Sequence, residues 1–206
     1  MAFRLDIPDE ATGCTVLIRH AKSVQGGTNE SRTLRVPEGT DLCKQVLPFW
    51  NQVVGSLGAT FGDSSYYSST YPRSFLTVWL IFHPEQIVQI AKLAIKTSLK
   101  KVQNGEWFKA RKAEKMSVPQ MIQTFVGDTT LWEGQPFKED RAGYLSFITS
   151  NTSGLHVAGV HEAALSLVAQ GHIPDDQLGL NECEGVAFYT ADGKIIGAQK
   201  LVPPTE

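Results

Sequence analysis

Short apolar runs that end abruptly on polar residues alternate along this chain with stretches whose apolar positions recur every three or four residues. The first run, Val16-Leu17-Ile18, belongs to a strand predicted at about 14–19 and stops on Arg19 and His20. Residues 22–39 hold glycines, a proline and many polar side chains, the pattern of a long loop. Leu42, Val46, Phe49, Trp50, Val53, Val54 and Leu57 then follow helical spacing. They predict a helix over 40–57, with Thr40 and Asp41 as capping oxygens and Gly55 and Gly58 at its end. A second strand at about 64–69 runs into Tyr71-Pro72-Arg73, where the proline suits the first turn of a new helix.

Beyond His83-Pro84 the spacing of Ile87, Val88, Ile90, Ala91, Leu93, Ala94 and Leu99 predicts an amphipathic helix over about 85–103. A helix near 117–126, a loop through 132–136 and a helix from Asp140 to Ile148 follow. Leu155 to Val160 repeats the opening design: a short apolar strand ends on His161-Glu162, with an apolar helix directly behind it. Strand parity sets His156 on the face opposite His161, so His156 is read as packing or surface. Gly185–Thr190 and Lys194–Leu201 form a hairpin about Asp192-Gly193. The alternation of strands and helices defines an α/β chain with a mostly parallel sheet.

Composition narrows the picture. At 206 residues the chain suits one core, read as a single domain over 1–206 with a helical insertion or lid at about 83–140. A net charge of −2 argues against a nucleic-acid binder. Cys14, Cys43 and Cys183 form no C-x-x-C pair, which fits a reducing compartment. Charge in Arg4 and Asp6 speaks against a signal peptide, and no apolar run is long enough for a bilayer. A cytoplasmic protein without a membrane partner is expected.

Three transitions out of strands therefore end on cationic or imidazole residues: Arg19-His20, Arg73 and His161. In a parallel sheet such ends share one edge, where open α/β folds place their ligand crevice. Arg73 would also sit in the first turn of its helix, where exposed amides favour an anion and a cation is unfavourable. A bound anion accounts for it; so does a nearby carboxylate. Two guanidinium forks and two imidazoles around one point match phosphoryl chemistry, with an imidazole as nucleophile. Ser23 and Arg32 lie in the 22–39 loop, within reach of that edge, as does Arg35.

Leu17-Ile18-Arg19-His20-Ala21-Lys22-Ser23 resembles the strand and Arg-His motif of the histidine phosphatase superfamily. Ser68-Ser69-Thr70-Tyr71-Pro72-Arg73-Ser74-Phe75-Leu76-Thr77 resembles its Ser-Ser-x-x-x-Arg-x-x-x-Thr segment, and the strand ending on His161 resembles the one carrying its second histidine. A fourth block, Glu184-Gly185-Val186, completes the family order over nearly the whole chain. The resemblance implies a three-layer α/β/α, phosphoglycerate mutase-like fold. It implies that His20 attacks phosphorus to form a phosphohistidine, that Arg19, Arg73 and His161 hold the transferring group, and that no cofactor or metal is required. Arg32-Thr33-Leu34 and Ala21-Lys22 lean towards the small phosphohistidine-phosphatase branch. Lys22 and Gly26 depart from the mutase pattern, so a phosphatase acting on a small phosphorylated substrate or a phosphoprotein is expected.

The proton donor has several candidates. Glu162, directly after the second histidine, is favoured; its other reading is a helix-terminal Glu stabilised by the dipole. Glu85, Glu106, Asp128 and Glu133 are the alternatives. Two rival functions stay open: a catalytically weak phospho-ligand binding or regulatory protein on the same fold, and a metal-dependent hydrolase using His20, His161 and His172.

Overall fold

The structure, a computed structural model, describes residues 4–24, 31–94, 106–132 and 137–204. Its sheet runs β3-β2-β4-β1-β5-β6, built from β1 (Gly13–Arg19), β2 (Ser64–Ser68), β3 (Val88–Gln89), β4 (Gly154–Val160), β5 (Gly185–Ala191) and β6 (Lys194–Leu201). β3, β2, β4 and β1 are mutually parallel, and the β5–β6 hairpin adds antiparallel to β1. Asp192 and Gly193 both take positive φ at the hairpin turn, 49° and 70°, as an Asp-Gly two-residue connection requires.

Alternation along the central strands divides two apolar layers. Val16, Ile18, Leu155, Val157 and Ala187 face α1 (Glu38–Phe61) and α2 (Pro72–Phe82). Leu17, Ala158, Val160, Val186 and Phe188 face the opposite layer. That layer includes α4 (Val118–Gly127), α5 (Phe137–Ser150) and α6 (Glu162–Ala169), with α3 (Glu106–Ala113) contributing Trp107. The expected α/β/α sandwich is thus the observed one, with each central strand buried on both faces.

Two features set the spacing around the strand ends. Gly159 lies under α2, where an added Cβ would stand 2.5 Å from the Ser74 carbonyl oxygen. Only a residue without a side chain lets helix and strand approach so closely. Thr77 Oγ1 donates to the Arg73 carbonyl at 2.8 Å and accepts from the Ala21 N–H at 2.9 Å. One hydroxyl thereby pins the first turns of α2 to the chain leaving β1.

Several boundaries differ from expectation. α1 begins before Thr40 and runs past both Gly55 and Gly58; it ends at Gly62, whose φ of 86° closes the last turn. Thr40 caps nothing and instead donates to the Pro37 carbonyl. The helix expected over 85–103 is absent from its described part, which forms β3 and a 3-10 turn at Ala91–Leu93. Val88 and Gln89 pair with Tyr67 and Ser68, so a segment carrying β-branched Ile87, Val88 and Ile90 took the open sheet edge as strand. Residues 95–103 of that expected helix lie outside the described residues. α5 is longer than the expected 140–148 helix, and α3 had no sequence counterpart. No helix among the described residues is long and apolar enough to cross a membrane.

Candidate active site

β1, β2 and β4 point the same way, so the residues after them gather at one edge. His20 follows β1, Ser69 follows β2 and His161 follows β4 as the N-cap of α6. Arg73 stands in the first turn of α2, after Pro72, and is 3% exposed.

Arg73 joins the two histidines. Its Nε donates to His20 Nε2 at 3.0 Å, and its terminal nitrogen donates to His161 Nδ1 at 3.2 Å. The guanidinium also lies 5.0 Å from the Tyr71 ring centroid, and that ring packs edge-on to His161. The two imidazole centroids are 5.2 Å apart.

These contacts fix both tautomers. His20 Nδ1 is 2.7 Å from the Ala21 carbonyl oxygen, which can only accept, so Nδ1 carries the hydrogen. Nε2, which takes a hydrogen bond from Arg73, keeps its lone pair. For His161 the arrangement is reversed. Nδ1 accepts from Arg73, so Nε2–H donates to Ser69 Oγ at 2.8 Å, with Ser74 Oγ at 3.3 Å. Burial first, then the Arg73 charge, lowers the His20 pKa to about 3, with Arg19 and Arg32 acting in the same direction. Burial, His20 and the two arginines lower the His161 pKa well below 6.5. Both rings are neutral at pH 7.

Arg19 meets a different environment. Its terminal nitrogens donate to the Leu180 carbonyl, to Glu162 Oε2 at 3.0 Å and to Glu182 Oε1 at 3.4 Å. Among the described residues its buried Nε–H finds no acceptor, and buried Glu162 Oε1 finds no donor. Burial raises the Glu162 pKa to about 7 against the lowering effect of Arg19, with Glu182 and Glu184 adding to the rise. Glu184 is itself well satisfied: Asn181 donates to both of its oxygens and Lys200 pairs with it at 3.1 Å. That pairing braces the turn that presents Leu180 and Glu182 to Arg19.

Of the residues singled out in the sequence, Arg19, His20, Arg73, His161 and Glu162 come together. Arg32 lies near enough for its charge to depress the His20 pKa. Ser23 does not join them by any described contact; its backbone bridges to Leu34. Arg35 turns to Glu38 at 3.2 Å. Among the alternative acids, Glu106 and Asp128 are exposed, and Asp128 accepts from Thr130. Glu85 lines a groove of about 370 Å³ with Ser64 to Tyr67, beside β2. Glu133 lies outside the described residues, as does Gly26. His172 packs edge-on to Phe188, apart from the pair. A guanidinium between His20 and His161 is a poor neighbour for a metal cation, and the described residues hold no cluster of three His, Cys, Asp or Glu suited to one.

Sequence reasoning gave no role to Ser69, Ser74, Tyr71 or Thr77, although all stand in the Ser68–Thr77 segment it quoted. It missed Glu182 altogether. Two carboxylates flanking Cys183 just before a buried strand were the available signal.

Comparison with solved structures bears on the fold. A phosphoglycerate mutase from Bacillus anthracis superposes with a TM-score of 0.57 at 16% identity, covering 95% of this chain and 94% of its own. A mycobacterial glucosyl-3-phosphoglycerate phosphatase gives 0.57 at 12% identity, with 94% and 99% covered. A protein assigned as the phosphohistidine phosphatase SixA from Agrobacterium tumefaciens gives 0.53 at 16%, with 94% and 99% covered. The sequence matches no family model and no curated protein. The chain has the phosphoglycerate mutase-like fold.

Proposed function

We infer that this chain is a phosphatase that hydrolyses a phosphomonoester or a phosphohistidine through a covalent phosphohistidine on His20, without a metal. The observation that carries the reading is the state of His20: a neutral ring with Nδ1–H tied to the Ala21 carbonyl and the Nε2 lone pair facing Arg73. An imidazole in that tautomer is a competent nucleophile at neutral pH, and the guanidinium beside it offers its fork to the equatorial oxygens. Arg73, Arg32 and Arg19 supply the positive charge that a divalent ion supplies elsewhere.

In the first step Nε2 bonds to phosphorus as the bond to the leaving group breaks, and Glu162 gives the leaving atom its proton. In the second, water gives a proton to the Glu162 carboxylate and attacks phosphorus as the N–P bond breaks, restoring both His20 and the acid. His161, held by Ser69 and Ser74, keeps Arg73 in line with both steps. A substrate of small size or a phosphorylated protein fits this chemistry; the histidine phosphatases among the structural relatives favour that general class.

Release of nitrophenolate from p-nitrophenyl phosphate in chelator-treated buffer tests the reading, together with trapping of acid-labile, base-stable phosphate on the protein. His20→Ala is expected to abolish both, a loss of roughly 10⁴-fold or more. Full activity in that variant overturns the mechanism. The specific support for a binding or regulatory protein is that Arg19 is already engaged by two carboxylates. It predicts oxyanion binding with turnover near background.

A further inference from the structure

The Glu162–Arg19–Glu182 arrangement has a cost that the His20–Arg73–His161 arrangement does not. Two carboxylates approach one terminal nitrogen of Arg19, at 3.0 and 3.4 Å. One guanidinium charge offsets only one of them. A third carboxylate, Glu184, stands nearby but is neutralised by Lys200 and held by Asn181. Within the same cluster a buried donor, Arg19 Nε–H, and a buried acceptor, Glu162 Oε1, both lack partners among the described residues. An unpaired buried donor and an unpaired buried acceptor each cost free energy, and each identifies what is missing. The donor lacks an anionic oxygen. The acceptor lacks a proton.

We propose that binding of a tetrahedral oxyanion at Arg19 is coupled to uptake of one proton by Glu162, so that substrate arrival arms the acid. This rests on the phosphatase reading, in that the oxyanion is taken to bind beside His20. The balance is simple: the carboxylate, one proton from solvent and the dianion give the carboxylic acid and the bound dianion. The oxyanion takes Arg19 donors, and Glu162 keeps its buried place as a neutral acid, with Oε1 able to carry the hydrogen. The same proton then passes to the leaving atom as its bond to phosphorus breaks.

The other groups facing this position do not compete for the proton. His20 on the β1 side and His161 at the start of α6 are held neutral by burial and by Arg73. Arg73 on α2 and Arg32 carry guanidinium groups, which offer donors and no basic lone pair. Cys183, in the turn before β5, is a buried thiol whose pKa is raised. Lys200 on β6 is committed to Glu184 and to the Gly179 carbonyl. Glu182 is more exposed than Glu162, with 38% of its side chain accessible against 11%, so water can solvate its charge when Arg19 turns away. Burial has already moved the Glu162 pKa to about 7, close to the pH at which the coupling would operate.

Inorganic sulfate is the probe, because it stays a dianion throughout the range tested and any proton taken up belongs to the protein. Calorimetric titration at pH 8 in two buffers of different ionisation enthalpy counts the protons. The expected result is close to one proton per sulfate, with the dissociation constant weakening about tenfold per pH unit above pH 7. Glu162→Gln should lose the proton uptake and bind sulfate with a flat pH profile. Glu182→Gln should tighten binding at pH 8 several-fold. Sulfate binding without proton uptake in the wild type, or uptake that persists in Glu162→Gln, overturns the coupling and leaves the phosphatase reading standing. A folded protein that binds no sulfate even at pH 6 overturns both.

Discussion

Two guanidinium groups stand at the same sheet edge in opposite company. Arg73 lies between two neutral imidazoles, donating to a nitrogen of each. Arg19 lies between two carboxylates and a carbonyl. The difference is one of readiness. Imidazole nitrogens give up a guanidinium donor to an incoming oxyanion at little electrostatic cost, whereas carboxylates hold theirs as ion pairs. One side of the site is open to an anion as it stands, and the other has to be exchanged.

Substitution of each arginine should separate the two sides most clearly. Arg73→Ala is expected to cut kcat for p-nitrophenyl phosphate about 10²–10³-fold, the scale of one lost transition-state donor, with little change in unfolding midpoint. Arg19→Ala leaves Glu162 largely buried beside a second carboxylate, so it should cost about 3 kcal/mol of stability in urea titrations. Adding Glu162→Gln should restore most of that loss. Equal stability effects at the two arginines would erase the distinction.

Acid and base should act on the two sides with opposite sign. His20, whose folded pKa of about 3 lies below its ordinary 6.5, leaves the unfolded chain binding more protons between those values. Its contribution is fully present above pH 6.5 and is lost as pH falls towards 3, at about 2 kcal/mol between pH 7 and 5 by linkage. Glu162, raised from 4.5 to about 7, does the reverse: its contribution is present below 4.5 and fades as pH rises through 7. Unfolding free energies at pH 5 and pH 7.5 check this, since His20→Gln should flatten the acid limb and Glu162→Gln the other. The smallest effect is expected at Thr77, which touches neither side's charges. Thr77→Val removes the acceptor of the Ala21 N–H and should lower kcat about fivefold, as one net hydrogen bond is worth about 1 kcal/mol, while KM changes little.

The histidine side was legible in the sequence, whereas of the carboxylate side only Arg19 and Glu162 were, and Glu182 was not. Val16-Leu17-Ile18 before Arg19-His20, and Val157 to Val160 before His161, are local patterns: the strand's own residues tell where it ends and what it delivers. Pro72 likewise announced α2 and put Arg73 in its first turn. Glu182 reaches Arg19 across a separation of 163 residues, from a turn held by Asn181, Glu184 and Lys200, and no local periodicity encodes that meeting. The segment after His83 failed for a related reason. Ile87, Val88 and Ile90 satisfy a helical spacing as well as a short strand, and only the open edge of β2, supplied from elsewhere in the chain, decides between them.

Because α2 rests on the bare main chain at Gly159, the gauge between Arg73 and His161 is cut by polypeptide thickness rather than by side-chain shape. Repacking of the apolar layers can tilt or loosen much of the molecule without widening that gap. Any broadening of what this edge accommodates therefore has to come from elsewhere than this helix–strand contact, while the bite of the two histidines stays constant.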